Sequence, residues 1–478
     1  MKSTKESSRS EEGLGTLSTI PGPKGQLLLG NLLQLDVPRL HLQLEKWARE
    51  YGSLYHLRLG NKDVIVASDP EEISTIMKSR PDTWRRVTEI AECAREDGFI
   101  GLFAAEGDEW RRQRRLVMTA FAPAHLRGYT PHIRLITDLL RRRWAELARR
   151  GERFELRSEL MRYTVDAAAV LSYGQDLNTL EDETSELQSH LQAVLPMLYR
   201  RILMPFAYWR LVRLPVDRAY DRHVAAIQHL IGELVRSARA QLERTPERRH
   251  SPSNLLEAML IAQDDDGSVL TDADITGNVF TMLLASQDTT ANTLAWAISL
   301  LHKNPQAWHR LVQETQTVLG DQLVPQDLDQ MYKMRFAEAC ANEAMRLKPV
   351  APIIVLEALH DTTVRGYAIP KGCRAYLLPR PSAVEHEALR DPLEFQPQRW
   401  LGEDGHGDFP KRISTPFGAG PRICPGRYLA MIEIGMVLAM IARNFRLAEL
   451  GDKDGAPPEE RLAFTMFPTD LYCRLVPA

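Results

Sequence analysis

The sequence has 478 residues, of which 44% are hydrophobic and 26% charged, and its formal net charge is −3. The balance of 60 Lys and Arg against 63 Asp and Glu excludes a strong overall attraction to nucleic acid or to an anionic membrane. The five cysteines form no C-x-x-C pair, so neither a structural zinc site nor a disulfide framework is expected. We expect the protein to occupy a reducing compartment.

The first 19 residues differ from the rest of the chain. They are polar and charged, and they hold no apolar run long enough for a signal peptide or a membrane span, so we expect a disordered leader. Ile20-Pro21-Gly22-Pro23 then opens the globular part. Because no internal repeat or second linker follows, we expect residues 20–478 to form a single domain in a monomeric, cytoplasmic protein.

Apolar periodicity and turn residues divide the first half of this domain into elements. Residues 80–98 are charged and irregular, which predicts a loop, and the aromatic stretch 200–215 is either a lid for a lipophilic substrate or a seal for the core. Strands are predicted at 54–59 and 64–67, around a hairpin turn. Apolar residues at helical spacing predict helices at 38–51, 70–77, 130–149, 159–173, 182–199 and 216–243, and a basic helix that begins at 109.

The longest helical pattern covers 271–304. Thr271 with Asp274 resembles a capping box, and Pro305 ends the pattern. Inside it the run Ala285-Ser286-Gln287-Asp288-Thr289-Thr290 interrupts apolar sequence, and such a polar patch costs free energy in a buried helix unless it is hydrogen-bonded or used. A helix at 334–347, strands at 353–359, 363–365 and 374–378, and a closing hairpin within 462–475 complete the prediction.

One cysteine stands in a glycine-rich loop ahead of the apolar run 428–441. The loop reads Phe417-Gly418-Ala419-Gly420-Pro421-Arg422-Ile423-Cys424-Pro425-Gly426. A thiol at a helix N-terminus is expected to have a lowered pKa, which favours the thiolate that binds metals. The residues alone fit a buried structural cysteine, a dinucleotide-binding loop or haem-thiolate ligation. Ile423 stands at the third glycine position of G-x-G-x-x-G, which excludes the dinucleotide loop.

Two side-chain pairs on other helices are weak signals taken singly. Trp110 and Arg114 lie four residues apart on one helical face, where they either donate to one anion or form a solvated basic face with a buried Trp. Glu343 and Arg346 can pair at i, i+3, as such residues do on most solvated helices.

The cysteine loop resembles the F-x-x-G-x-R-x-C-x-G signature of the cytochrome P450 family at all its fixed positions: Phe417, Gly420, Arg422, Cys424 and Gly426. Three more segments resemble the family's motifs, in the family's order. Trp110 and Arg114 match W-x-x-x-R, residues 285–290 match A-G-x-D-T-T, and Glu343 with Arg346 matches E-x-x-R ahead of a P-x-R-W segment that supplies Arg399. The departures are Ser286 in place of the usual glycine and residues 382–384 in place of a His-Arg-Asp-like stretch.

The resemblance implies a mainly α fold with a minor β region, the cytochrome P450 fold, in which the long central helix crosses over haem b. Cys424 is then the iron ligand, and Asp288 and Thr289 are the catalytic pair that delivers protons. The other implied cofactor-binding residues are Trp110, Arg114, Ala285, Phe417, Gly418, Arg422 and Gly426. The implied structural network consists of Glu343, Arg346 and Arg399.

The expected reaction is monooxygenation of a lipophilic substrate by dioxygen, either hydroxylation or epoxidation, with secondary metabolites as the favoured class. Electrons are expected from a ferredoxin or flavodoxin with its reductase. The basic side chains that could form its docking face, or simply a solvated surface, are Arg111, Arg112, Arg115 and Arg141 to Arg143. A peroxide-driven fatty-acid peroxygenase and a non-catalytic haem-thiolate protein are the alternatives.

Overall fold

The computed structural model describes residues 14–174, 177–181, 186–204, 206–264, 267–402 and 409–478. Most of the expected leader, residues 1–13, and the first residues of the helix predicted at 182–199 lie outside the described residues. Residues 14–19 depart from the expected disorder, because the N–H of Gly15 donates to the oxygen of Gly366 at 3.0 Å and its oxygen accepts from Ala368 at 2.8 Å.

Helices make up most of the described chain. They are α1 Leu40–Tyr51, α2 Pro70–Lys78, α3 Thr88–Glu96, α4 Gly107–Ala120, α5 Pro123–Arg150, α6 Leu156–Tyr173, α7 Glu186–Leu203, α8 Pro215–Arg244, α9 Leu255–Ile261, α10 Asp272–His302, α11 Pro305–Leu319, α12 Leu328–Lys333, α13 Arg335–Leu347, α14 Pro379–Glu385, α15 Phe409–Ile413 and α16 Arg427–Asn444. Within the described residues, none of these helices has the length and hydropathy needed to cross a bilayer.

The strands form small sheets at the edge of the helical body. They are β1 Leu54–Leu59, β2 Lys62–Ala67, β3 Trp84–Arg86, β4 Arg153–Glu155, β5 Ile354–Ala358, β6 Thr362–Val364, β7 Tyr367–Ile369, β8 Arg374–Leu377, β9 Phe445–Gly451, β10 Glu460–Leu462, β11 Met466–Pro468 and β12 Tyr472–Pro477. The largest sheet has the order β1-β2-β8-β5-β3, with β2 and β8 parallel and its other pairs antiparallel. The others are β4-β12-β9, β10-β11 and β6-β7.

The central helix α10 is 31 residues long, or about 46 Å. Its N-terminus is closed reciprocally, because the hydroxyl of Thr271 accepts from the N–H of Asp274 at 3.1 Å and the Asp274 carboxylate accepts from the N–H of Thr271 at 2.8 Å. Its first half belongs to one buried hydrophobic cluster and its second half to another. The polar segment 285–290 lies where these two clusters meet.

Segment 99–106 lies against α10 at backbone contact. A Cβ on Gly101 would lie 2.3 Å from the oxygen of Gly277, and a Cβ on Gly277 would lie 2.4 Å from the oxygen of Ile100, so neither position has room for a side chain. The ring of Phe99 stacks on that of Phe280 at 3.7 Å. These contacts fix the segment that later meets the cysteine loop.

Two parts of the predicted secondary structure are wrong. Residues 80–98 are not a loop: they form β3, in which Trp84 pairs with Ala358, and helix α3. Strand β3 pairs with β5, which is 270 or more residues away along the chain, so no local sequence pattern signals this pairing. Residues 462–475 are not one closing hairpin either, since β10 and β11 pair with each other while β12 joins β4 and β9.

Candidate functional site

The cysteine loop is held against α2 by glycine. Gly418 and Gly420 have φ angles of 78° and 69°, in the left-handed region. A Cβ on Gly420 would also lie 2.7 Å from the Cα of Lys78. The N–H of Cys424 donates to the oxygen of Phe417 at 2.9 Å, which closes the loop. Cys424 therefore lies in a fixed turn immediately before α16.

The expected low pKa of this thiol is not what the structure gives. Burial raises the pKa of Cys424 above its usual value, while the N–H of Gly426 and the guanidinium groups of Arg114 and Arg427 act in the opposite direction. The expectation was wrong for the thiol by itself because it counted the helix end and left out the burial. A bound metal ion reverses this balance, since a coordinating thiol is deprotonated outright.

Basic side chains from three segments crowd the space beside the loop. The pKa of Arg422 is lowered to about 10, chiefly by burial and in part by the charge of Arg80, whereas Glu106 opposes the shift. The pKa of Arg86 is lowered well below its usual value by burial, then by Arg80 and Arg422. Burial also lowers the pKa of Arg80 and of Arg114. Close cations of this kind cost free energy unless a negative charge balances them.

Glu106 is the carboxylate that faces this group. It accepts a hydrogen bond from Arg422 and another, at 3.0 Å, from the backbone N–H of Arg86. The Nε atoms of Arg80, Arg86 and Arg422 are buried and have no hydrogen-bond partner among the described residues. One carboxylate therefore faces the guanidinium groups of Arg80, Arg86 and Arg422, and several of their buried donors remain available for an anion.

The predicted W-x-x-x-R pair borders the same space. Trp110 is buried in α4, and its ring lies under the guanidinium of Arg422, 4.4 Å from the ring centroid. Arg114 is half-buried one turn later, and the charge of Cys424 is the largest influence that opposes its lowered pKa. The structure thus brings Trp110, Arg114, Arg422 and Cys424 to one place.

The polar segment of α10 presents two different faces. Ala285 is exposed and Thr289 half-buried, although α10 is buried along most of its length. The hydroxyl of Thr289 donates to the oxygen of Ala285 at 2.8 Å, and that of Ser286 donates to the oxygen of Met282 at 2.7 Å. The hydroxyl that replaces the family's glycine is therefore bonded along its own helix.

Asp288 points to the other face and is bonded at both oxygens. Oδ1 accepts from Nη2 of Arg157 at 3.1 Å, and Oδ2 accepts from the hydroxyl of Thr465 at 2.7 Å. Nε of Arg157 donates to Oδ1 of Asn292 at 2.8 Å, and Nδ2 of Asn292 donates to Oγ1 of Thr465 at 3.0 Å. The four side chains form a closed ring. Asp288 and Thr289 are therefore neighbours in sequence that share no direct hydrogen bond.

The residues predicted to form a structural network meet in the buried region between α13 and the segment that follows α14. Glu343 accepts from Nε and Nη2 of Arg346, both at 2.8 Å, and lies 3.4 Å from Nε of Arg399. Trp400 adds a donor at 2.9 Å. Arg346 also donates to the backbone oxygen atoms of Ala383 and Pro392, and so holds residues 382–384 themselves and the chain that follows them.

A family model described as cytochrome P450 matches residues 20–473, which is nearly the entire chain. The chain belongs to the cytochrome P450 family. The predicted fold class is thereby confirmed, and the haem domain of cytochrome P450DA has the same fold, with a TM-score of 0.83 at 24% identity over 96% of this chain and 98% of that one.

Two curated relatives show the range of P450 proteins that resemble this chain. The bifunctional cytochrome P450/NADPH–P450 reductase of Bacillus cereus is 27% identical over 473 residues, which cover 96% of this chain and 42% of that protein. The chain thus spans about two fifths of its length. Pentalenene oxygenase of Streptomyces avermitilis is 27% identical over 425 residues, 89% of this chain and 90% of the relative.

P450 proteins are haem-thiolate monooxygenases that bind haem b through a cysteine thiolate. The residues of this P450 fit that group. Haem b carries two propionates, and the three guanidinium groups that Glu106 faces keep buried donors that two carboxylates would satisfy. The half-buried Cys424 would supply the thiolate, and Ala285 is a small, exposed side chain on α10.

The arginines of this P450 that could form either a docking face or a solvated surface are paired with carboxylates in the structure. Arg111 pairs with Asp82 and Asp108, Arg112 with Asp274, and Arg115 with Asp264. Asp138 pairs with both Arg141 and Arg142, and Glu159 pairs with Arg143. The prediction counted the cations and missed the carboxylates that the fold places beside them.

Arg80, Arg86, Arg157 and Thr465 were not predicted as site residues. A weak signal existed for Arg86, because Trp84-Arg85-Arg86 puts basic residues beside an aromatic one in the segment predicted as a charged loop. Thr465 lies in the segment 462–475 that was predicted to hold a closing hairpin, and no role followed from that. Nothing local marked Arg157, whose partner on α10 is 131 residues away.

Proposed function

We propose that this chain is a P450 monooxygenase that inserts one oxygen atom of dioxygen into a lipophilic substrate by hydroxylation or epoxidation. The overall change is RH + O2 + two electrons + two protons giving ROH + H2O. The carrying observation is the half-buried Cys424 beside a group of arginines with unbonded donors, with the polar segment of α10 in the same molecule.

The proposal gives each side chain one task. Cys424 holds the iron, and the N–H of Gly426, which already lowers the pKa of the thiol, stabilises the thiolate. Arg86, Arg114 and Arg422 hold the propionates with Trp110 as a wall. When bound, the haem supplies the redox-active iron at which dioxygen is reduced. Thr289 donates or relays a proton at its hydroxyl, and Asp288 supplies that proton from its carboxyl group.

The substrate is proposed to be apolar, in the class of secondary metabolites. Half-buried aromatic residues, Phe103 and Phe464, face each other with ring centroids 6.0 Å apart next to the Arg86 guanidinium. The cluster behind them is aliphatic and aromatic. Pentalenene oxygenase supports this class, since its name gives a hydrocarbon as what it oxidises.

Electrons are proposed to come from a ferredoxin or flavodoxin with its reductase. The Bacillus cereus relative, whose name joins a P450 to an NADPH–P450 reductase, supports the need for such a source. We further propose that residues 20–478 act as one monomeric domain in the cytoplasm. Support comes from contacts between distant segments, such as Arg39 with Glu459, and from five cysteines that are all free.

The test is the optical difference spectrum of the reduced protein with carbon monoxide. A red-shifted Soret band, lost in Cys424→Ser, is expected for thiolate ligation. Thr289→Ala is expected to keep that band and to divert most electrons from NADPH to hydrogen peroxide. A band typical of histidine or neutral-thiol ligation would refute the proposal. Unchanged coupling of NADPH oxidation to product in Thr289→Ala would count against the proton-relay role of Thr289.

A further inference from the structure

Two histidine rings meet between α7 and α8. The Nδ1 atoms of His190 on α7 and His223 on α8 lie 2.7 Å apart, and the ring centroids lie 5.0 Å apart. Both residues are half-buried, and those that follow them in sequence, Leu191 and Val224, are buried in the hydrophobic cluster that also holds the first half of α10. The rings therefore lie at the edge of the apolar contact between the two helices.

A contact between two Nδ1 atoms fixes where the hydrogens are. A neutral imidazole has one N–H and one bare nitrogen, so one ring donates at Nδ1 and the other accepts there. The donor ring then has a bare Nε2, and the acceptor ring has its hydrogen on Nε2. Among the described residues neither Nε2 has a bonding partner, and neither is a buried atom without one, so both are open to solvent.

The first and the second added proton have opposite effects on this contact. The donor ring takes up a proton at its bare Nε2 and keeps its Nδ1–H, so the bond becomes charge-assisted and about twice as strong. The acceptor ring has its only lone pair at Nδ1, so the second proton must take the place of the hydrogen bond. The contact would then hold two cations with their Nδ1 atoms side by side, and these repel each other.

Neighbouring charges do not relieve this repulsion. The pKa of His223 is lowered by burial, then by the charge of His190 and then by that of Arg222. Within the described residues no titratable group on another helix contributes to this shift, although α3, α9 and α10 all pack on α7 or α8. Asp221, the carboxylate nearest in sequence, is bonded to Arg213 instead. The surroundings of the pair therefore oppose a second proton.

We propose that His190 and His223 form a pH-sensitive link between α7 and α8. The link is closed while the two rings carry at most one charge, and it opens when both are protonated. Because the folded chain resists the second proton and the unfolded chain does not, the stability that the link contributes is complete above pH 6.5, the ordinary value for histidine, and is lost as the pH falls below it. This inference goes beyond the proposed function and does not depend on it.

The first experiment follows the imidazole nitrogen signals of the haem-loaded protein by NMR, after its histidines are labelled with nitrogen-15. The chain has 13 histidines, and the two signals of interest are those lost in His190→Gln and in His223→Gln. In the wild type the two rings are expected to titrate in separate steps, the second at a lower pH than the remaining ring of either variant. A wild-type spectrum in which every histidine titrates in one ordinary step would overturn the inference, even if neither variant folds.

The second experiment measures amide hydrogen exchange of residues 190–194 and 223–227 at about pH 7.5 and about pH 5, corrected for the intrinsic exchange rates. Between these pH values the protection of the wild type is expected to fall by about two- to tenfold more than that of His190→Gln, the equivalent of one hydrogen bond. The variant responds less because glutamine stays neutral and cannot form the repelling pair of cations.

His229→Gln is the matched control, because His229 is an exposed histidine of the same helix, 3.9 Å from Glu233. This variant is expected to lose protection as the wild type does. An equal loss in wild type and His190→Gln would overturn the inference. It would assign the response to acid to another group of this region, such as Asp97, whose pKa is raised to about 6, chiefly by burial.

Discussion

Arg86 is a side chain whose charge is expected to destabilise the haem-free protein and to stabilise bound haem. Its guanidinium lies over Phe103, 3.7 Å from the ring centroid, and its Nε has no partner among the described residues. Arg80 and Arg422 both lower its pKa, which means that they repel its charge. An anion placed among these groups would gain from all of them at once.

Arg86→Leu is expected to weaken haem binding by about tenfold or more, because a hydrogen bond to a charged group contributes roughly 1.5–3 kcal/mol. The rate of haem transfer to excess apomyoglobin measures this. The thermal midpoint of the haem-free protein is expected to stay the same or rise, since a crowded cation is removed.

Arg111→Leu is the control for this prediction, as Arg111 is a half-buried arginine paired with Asp82 and Asp108, away from the unbonded donors. Equal haem transfer rates for the two variants would contradict the role given to Arg86. A fall in the midpoint of the haem-free Arg86→Leu protein would mean that the side chain is mainly structural.

At this scale the sequence predicted the residues that lie in short motifs. The sequence could name Cys424, Trp110, Arg114 and Arg422 because each of them belongs to a motif that is only a few residues long. Thr465 and Arg157 could not, since their meaning depends on Asp288, which is 177 and 131 residues away. The direction of the Cys424 pKa was missed for a related reason, because burial is a property of the folded chain.

Helix α3 illustrates the same limit at the level of elements. Its acidic end meets donors from α7, α8 and the segment between them: Trp209 and Arg210 bond to Glu96, and Arg201 and Tyr220 bond to Asp97. Burial raises the pKa of Asp97 to about 6. The charged residues that led us to predict a surface loop, Glu96 and Asp97, are thus the ones that bond helix α3 to its neighbours. By contrast, both ends of α10 were predicted to within two residues, because the signals for them, the Thr271–Asp274 capping box and Pro305, lie next to the helix ends in the sequence.

Helix α16 carries a buried acid, Glu433, for which no basic partner is seen among the described residues. Glu433 is 3% exposed, its Oε2 has no partner among the described residues, and burial raises its pKa from 4.5 to about 8. Between these two pH values the folded state keeps a proton that the unfolded state has lost. Its contribution to stability is therefore complete below pH 4.5 and is lost as the pH rises toward 8.

Glu433→Gln is expected to remove this loss. At pH 5 the variant and the wild type should unfold at similar urea concentrations, because glutamine resembles the neutral acid. At pH 8 the variant should be more stable by up to about 4 kcal/mol. Urea unfolding at the two pH values measures the difference, with Glu459→Gln as the control, since Glu459 is an exposed acid. Parallel pH dependence of Glu433→Gln and wild type would show that Glu433 is ionised in the fold.

For the whole molecule, the arrangement of charge matters more than its total. The net charge of −3 hides many ion pairs that join distant segments. In α4 and α5 the arginines that suggested a docking face are each beside a carboxylate, so their field is largely cancelled. Arg427 differs: it lies over Tyr428, three residues after Cys424, and no acidic partner for it is seen among the described residues.

We therefore expect an acidic ferredoxin to depend on Arg427 and not on the paired arginines. Arg427→Gln should raise the apparent KM for ferredoxin by about three- to tenfold, and the effect should shrink as salt increases, because an exposed charge is screened. Steady-state NADPH oxidation at several ferredoxin concentrations measures it, at equal haem content. The matched variant Arg115→Gln with Asp264→Asn removes a pair without changing the net charge and should stay within twofold of wild type. A large effect of that pair with none at Arg427 would restore the docking face that the sequence suggested.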